Sequence, residues 1–196
     1  MKLKKFSNKY FTKEGKDRAF VNFTSLETLW FNTGTLCNLS CKNCYIESSP
    51  LNDNLLYLSH EEVCKYLKEI KSKNITCKSI GITGGEPFMN KDIIKIISTC
   101  LSKNLEVLIL TNAMQPLQNK QKLLIRFKNN KNIKFRISLD HYTKNKHEKI
   151  RGNNSWHKAI SGIDWLNKNK FNISIASRIL YDSEIKLRKG FDELFN

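Results

Sequence analysis

The chain has 196 residues, 27% of them charged, and a formal net charge of +16. That length suits one domain with a sizeable core, and no apolar run approaches the roughly 20 residues of a membrane span. The basic opening MKLKKFSNKY lacks the apolar segment of a secretory leader, so the expectation is a soluble, cytoplasmic protein whose six cysteines stay reduced and serve metal binding or packing.

Residues 1–28 carry no repeating pattern, and RAFVNF within them reads as an extra edge strand. From Leu29 onward short β-branched runs alternate with amphipathic stretches, the signature of βα units on a parallel sheet. The first strand is TLWFNTG. A helix follows in LSHEEVCKYLKEIKSKN, where Ser59 and Glu62 form a capping box and Val63, Leu67 and Ile70 share a face. SIGIT is the second strand. NKDIIKIISTCLSKN is the second helix, capped by Asn90, with Ile93, Ile94, Ile97 and Leu101 inward. EVLILT is the third strand, and QPLQNKQKLLIRFKNN has only a short apolar stripe. IKFRISLD is the fourth strand. HEKIRG reads as a loop before a helix that starts near Ser155 and turns Trp156, Ile160, Ile163 and Leu166 to one side. NISIASRIL is the fifth strand, and a last helix, weakened by Gly190, closes the chain.

Five βα units with right-handed crossovers predict an α/β fold: a partial (β/α) TIM-type barrel of about five to six parallel strands with outer helices. A doubly wound sheet is the alternative, and element order alone does not separate the two. The expected divisions are an extension over 1–28, a core over 29–182, and a C-terminal helix over 183–196 that leaves the barrel short of a strand.

CNLSCKNC places Cys37, Cys41 and Cys44 at spacings of four and three directly after the first strand. Packed core cysteines do not cluster among Asn, Ser and Lys. A disulfide would leave one thiol over. Structural zinc takes four protein ligands, and the nearest candidates for a fourth are His60, Cys64 and Cys77. Three thiolates suit a cubane iron–sulfur cluster with one iron free of protein ligands. That iron would be open to a small molecule, as the vacant position of a catalytic zinc site is.

The other unusual residues also fall where strands end. GITGGEPF supplies Gly84 and Gly85 for close backbone approach, the Glu86 carboxylate, and Pro87 to fix the turn. Taken alone it is an ordinary Gly-rich turn. LTNAM brings Thr111 and Asn112. RISLDHY brings Ser138 and Asp140, which point the same way. Arg178 lies in or just past the fifth strand. The C-terminal ends of the strands form the active-site face of a βα barrel. His147 and Arg151 read as fixing the loop before the next helix, while His141 and His157 have no visible partner and read as exposed.

CxxxCxxC followed one βα unit later by GGEP resembles the radical S-adenosylmethionine superfamily, over roughly residues 29–182. The resemblance implies that Cys37, Cys41 and Cys44 hold a 4Fe–4S cluster whose free iron chelates S-adenosylmethionine. One-electron reduction then releases a 5′-deoxyadenosyl radical that abstracts hydrogen from a substrate. It further implies that Gly84, Gly85, Glu86 and Pro87 receive the methionine ammonium group. Asn43, where the family often has an aromatic residue, contacts adenine, with Tyr45 on the other side of Cys44. Thr111 and Asn112 stand where the family often reads Thr-Asn-Gly. Ser138 approaches the ribose or sulfonium, Asp140 belongs to a subset reading SLD, and Arg178 pairs with the methionine carboxylate. The implied partners are a small-molecule or peptide substrate and an electron donor such as flavodoxin or ferredoxin. Lysines spread through KEIKSKN, KNNKNIK and KNKHEK favour a solvated surface over a dedicated nucleic-acid face. RNA modification by the same chemistry, and a non-catalytic iron–sulfur or zinc module, are the alternatives.

Overall fold

A computed structural model describes residues 7–196; the first six residues of the basic opening lie outside them. The sheet consists of β1 (Thr28–Asn32), β2 (Ser79–Thr83), β3 (Glu106–Thr111), β4 (Ile133–Ser138) and β5 (Asn172–Ala176). All neighbours are parallel, and the spatial order is the chain order. A doubly wound sheet reverses its strand order at a switch point, so the sequential order leaves the partial TIM-type barrel. The five strands close no ring: β1 and β5 are its two edges.

Around it lie α1 (His60–Ser72), α2 (Ile93–Ser102), two short helices α3 (Gln115–Gln118) and α4 (Gln121–Leu124), then α5 (Lys144–Arg151), α6 (Ser155–Lys168) and α7 (Glu184–Phe195). The core forms where apolar helix faces meet the sheet. Ile93, Ile96 and Ile97 of α2 and Ile163 and Leu166 of α6 pack with Ile80, Ile82, Ile109 and Phe135, all at or near zero exposure. The capping box at Ser59 and Glu62 is formed. Among the described residues no helix is long and apolar enough to cross a membrane.

Local details differ from the sequence-based expectations for identifiable reasons. Asn90 does not cap α2. Its Oδ1 accepts the Asp92 N–H at 2.9 Å and its Nδ2 donates to the Leu58 carbonyl at 2.8 Å, tying the start of α2 to the loop before α1. HEKIRG is not a loop but most of α5, which buries only His147 and Ile150. RAFVNF forms no strand: Phe20, Val21 and Phe23 are 82%, 88% and 69% exposed. Gly190 is buried against the Tyr142 ring, which would meet an added Cβ at 2.3 Å, so α7 gives up helix propensity for a close seat.

Candidate iron–sulfur and cofactor site

The cysteine-bearing loop between β1 and α1 is fixed from four sides. At the end of β2, the Gly85 N–H donates to the Gly34 carbonyl at 2.9 Å and the Glu86 N–H to the Leu36 carbonyl at 3.1 Å. From the end of β3, Asn112 Nδ2 donates to Asn38 Oδ1 at 2.9 Å. At the end of α5, the Ile150 carbonyl accepts the Lys42 N–H at 2.8 Å. Beyond β5, Arg178 Nη1 donates to the carbonyls of Lys42 and Asn43 at 2.9 and 3.3 Å. Gly84 has φ +136°, and Gly85 lies so near the cysteine loop that a Cβ would stand 2.1 Å from the Leu36 oxygen. Only glycine permits that approach.

These ties enclose a cavity of about 360 Å³ at the C-terminal end of the sheet. Cys37, Cys41 and Cys44 all line it, together with Asn43, Tyr45, Gly84, Gly85, Thr111, Asn112, Ser138, Asp140 and Arg178. Glu86 and Pro87 do not reach its wall. Pro87 opens the 3₁₀ turn Pro87–Met89. The Glu86 carboxylate is buried behind, accepting from Phe88 N–H at 3.1 Å, Thr111 Oγ1 at 2.8 Å and Asn112 N–H at 2.8 Å. It is a strut joining the ends of β2 and β3. Burial pushes this carboxyl up to about 7, against the downward pull of those three donors.

Asp140 makes a second strut. Arg178 grips it with Nε on Oδ1 and Nη2 on Oδ2, both at 2.8 Å, while Arg151 Nε reaches Oδ2 at 2.6 Å. Burial alone would raise this carboxyl; the two guanidinium groups outweigh it and hold it below the usual carboxylate range. The same Arg151 brings Nη1 to 3.9 Å from the Cys41 sulfur. Burial raises the Cys41 thiol, and the Arg151 charge offsets part of that rise. Cys37, the deepest of the three at 6% exposure, is pushed up to about 12 by burial.

The structure also shows what sequence reasoning missed. Arg151 belongs to the cavity wall, and so do Ser48, Thr83 and Ser177. An arginine four residues after a histidine in KNKHEKIR was the one visible signal for Arg151; Ser48 had none. His141 is not exposed: it is 1% accessible, donates from Nε2 to Asp182 Oδ2 at 2.7 Å, and receives the Thr143 N–H on Nδ1 at 2.9 Å. His157 is exposed, as expected. Asn43 and Ala113 have φ of +57° each, so the residue before the third cysteine and the one after Asn112 both occupy the left-handed region.

The family description "Radical SAM superfamily" matches residues 31–182. The chain belongs to the radical SAM superfamily. Curated relatives include the antilisterial bacteriocin subtilosin biosynthesis protein AlbA of Bacillus subtilis, 33% identical over 117 residues that make up 59% of this chain and 25% of that protein. Another is molybdenum cofactor biosynthesis protein 1 of Drosophila melanogaster, 29% identical over 131 residues, 65% of this chain and 22% of that one. The chain therefore spans about a quarter of the length of these relatives. Among solved structures, Streptococcus suis SuiB bound to S-adenosylmethionine superposes with a TM-score of 0.71 at 18% identity, over 87% of this chain and 38% of SuiB. SuiB bound to its precursor peptide SuiA gives the same TM-score. At that identity the likeness speaks for the fold, the partial barrel.

Proposed function

We propose that Cys37, Cys41 and Cys44 hold a 4Fe–4S cluster, that S-adenosylmethionine binds beside it in the same cavity, and that the chain uses the pair to take a hydrogen atom from a peptide substrate. The carrying observation is that three thiols of one eight-residue stretch line a single cavity that Gly84 and Gly85 also line. Among the described residues no three His, Cys, Asp or Glu side chains stand close enough to hold one metal ion. Peptide chemistry is supported by what AlbA and SuiB are named for: bacteriocin biosynthesis in one, a bound precursor peptide in the other.

The chemistry such a pair supplies is one-electron cleavage of the sulfonium cofactor to a carbon radical able to take hydrogen. The chain's own residues orient and shield. The Gly84–Gly85 turn lets the cofactor-facing backbone lie directly against the cysteine loop. Arg151 and Arg178, against the single charge of Asp140, leave net positive charge beside Cys41. That charge offsets part of the cost that burial puts on a Cys41 thiolate. Ser138 and Asn43 offer hydrogen-bonding groups to the cofactor from the cavity wall, and Tyr45, 80% exposed, offers it a stacking surface.

The test is anaerobic incubation of the reconstituted chain with S-adenosylmethionine and dithionite. Formation of 5′-deoxyadenosine, lost on replacing any of the three cysteines by alanine, is the expected result. Zinc at one equivalent with no sulfide, and no 5′-deoxyadenosine, would overturn the proposal in favour of a structural metal module.

A further inference from the structure

One face of the sheet is covered and the other is open. Successive strand residues point to opposite faces. Ile80, Ile82, Val107, Ile109, Ile133 and Phe135 face the helices and are at or near zero exposure. The alternate set faces inward: its members Thr83, Leu110, Ser138 and Ala176 line the cavity. Two residues earlier on the same strands stand Gly81, Leu108, Arg136 and Ser174. Arg136 and Ser174 are exposed, and so are Asn32 and Asn172 on the same face. Trp30 is 47% exposed, its ring lying over Gly81, where an added Cβ would meet it at 2.3 Å.

Parallel sheets are normally covered on both faces, and the inside of a full βα barrel is filled by branched apolar side chains. An inner face carrying Arg, Lys, Asn and Ser does not pack that way. It is a polar trough that runs on from the cavity, since Arg136 stands in register beside Leu110 of the cavity wall. Its charges are three. Lys134 pairs with Glu106 at 2.9 Å. The Arg136 guanidinium has no ion pair or hydrogen bond among the described residues, so its positive charge is uncompensated. A guanidinium fork matches a carboxylate with two parallel hydrogen bonds.

We infer that Arg136 selects the substrate, pairing with an acidic side chain of a peptide segment that lies along the trough. The inference rests on the peptide reading above and deepens it. Arg136 is two strand residues below Ser138, so the acidic residue sits about 7 Å deeper than the cofactor-facing end of β4. The trough continues past Arg136 to Lys134 and Asn172, which are in register with each other. The peptide therefore need not end at the guanidinium, which assigns the carboxylate to a side chain and not to a C-terminus.

The probes are short peptides bearing a neutral fluorophore: alternating glycine and glutamate with blocked ends, alternating glycine and glutamine with blocked ends, and the glutamine peptide with a free C-terminal carboxylate. Binding to the anaerobically reconstituted chain is read by fluorescence anisotropy at physiological salt, where diffuse attraction to spread lysines is screened. The expected result is that wild type prefers the glutamate peptide and that Arg136→Gln binds it about tenfold more weakly. Lys128→Gln, which removes an equal charge from an exposed position before β4, is expected to bind as wild type does. Equal losses in the two variants, or no preference for glutamate over glutamine, would overturn the inference. So would a free C-terminus that binds as tightly as the glutamate peptide. Iron and sulfide counted on the same samples keep the two readings apart: a wild type without them overturns the cluster proposal, whereas a loaded wild type that ignores glutamate overturns this inference alone.

Discussion

His147 and Glu86 are fully buried titratable groups with opposite pH behaviour. His147 is in T-shaped contact with Trp156, and neither ring nitrogen has a hydrogen-bond partner. Burial, with the nearby Arg151 charge, pushes it down to about 4 from 6.5. The unfolded chain therefore takes up a proton near pH 6.5 that the folded chain refuses until about 4, so this residue destabilises the fold as pH falls across that window. Glu86, raised from 4.5 to about 7, does the reverse: the folded chain binds its proton first, and stability from this group grows as pH falls from 7 toward 4.5. The two slopes oppose each other in the wild type. Replacing His147 by Phe removes one of them. Urea unfolding at pH 7 and pH 5 should show the variant gaining about 2 kcal/mol relative to wild type on acidification. Parallel pH profiles would show that the imidazole is not isolated from water as the structure has it.

At the level of elements, the decisive contact lies between the turn after β2 and the cysteine loop. Gly85→Ala places a Cβ 2.1 Å from a backbone oxygen, which no rotamer relieves. We expect a loss of about 2–3 kcal/mol in thermal or urea unfolding, in the range of overpacking, with weaker retention of iron after reconstitution. A variant as stable as wild type would mean that the two loops are free to separate. This contact also marks how far sequence reasoning reaches. All five strands were legible because β-branched runs alternate with amphipathic helices, and the capping box at Ser59 and Glu62 is a local pattern that needs no tertiary context. The cysteine spacing and GGEP were legible because ligand and turn geometry dictate them. α5 was not, since KNKHEKIR carries no apolar stripe and turns only His147 and Ile150 inward. Glu86 was legible as a carboxylate but not as a strut, because Thr111 and Asn112 come from another strand 25 and 26 residues away. His141 and the Arg178–Asp140 clamp were hidden for the same reason: their partners lie 41 and 38 residues off along the chain.

For the whole molecule, the sheet is open at β1 and β5, and edges of that kind need cover. The segment between Arg178 and α7 is fastened by the Asp182 carboxylate. Asp182 accepts from His141 and Lys146 at 2.7 Å and pairs with Lys186 at 3.0 Å, and these partners hold it far below the usual carboxylate range. This latch joins α7 and the β5 exit to the loop after β4, next to the Asp140 clamp. Asp182→Ala should speed limited proteolysis between residues 178 and 184 without changing the far-ultraviolet spectrum of the barrel; unchanged cleavage would mean that Tyr142 and Phe191 packing alone seats α7. Apart from Lys146 and Lys186, which make the latch, the lysines behind the net charge of +16 are dispersed and fit a solvated surface.

The central claim is that one loop's three thiols hold a single iron–sulfur centre. Iron and acid-labile sulfide should therefore be counted on the anaerobically reconstituted chain and on its Cys37→Ala, Cys41→Ala and Cys44→Ala variants, with Cys64→Ala, Cys77→Ala and Cys100→Ala as controls. The account predicts equal iron and sulfide in wild type and in the three controls, and loss of both in each loop variant. A wild type without sulfide, or loop variants that keep their iron while a control loses it, would contradict it.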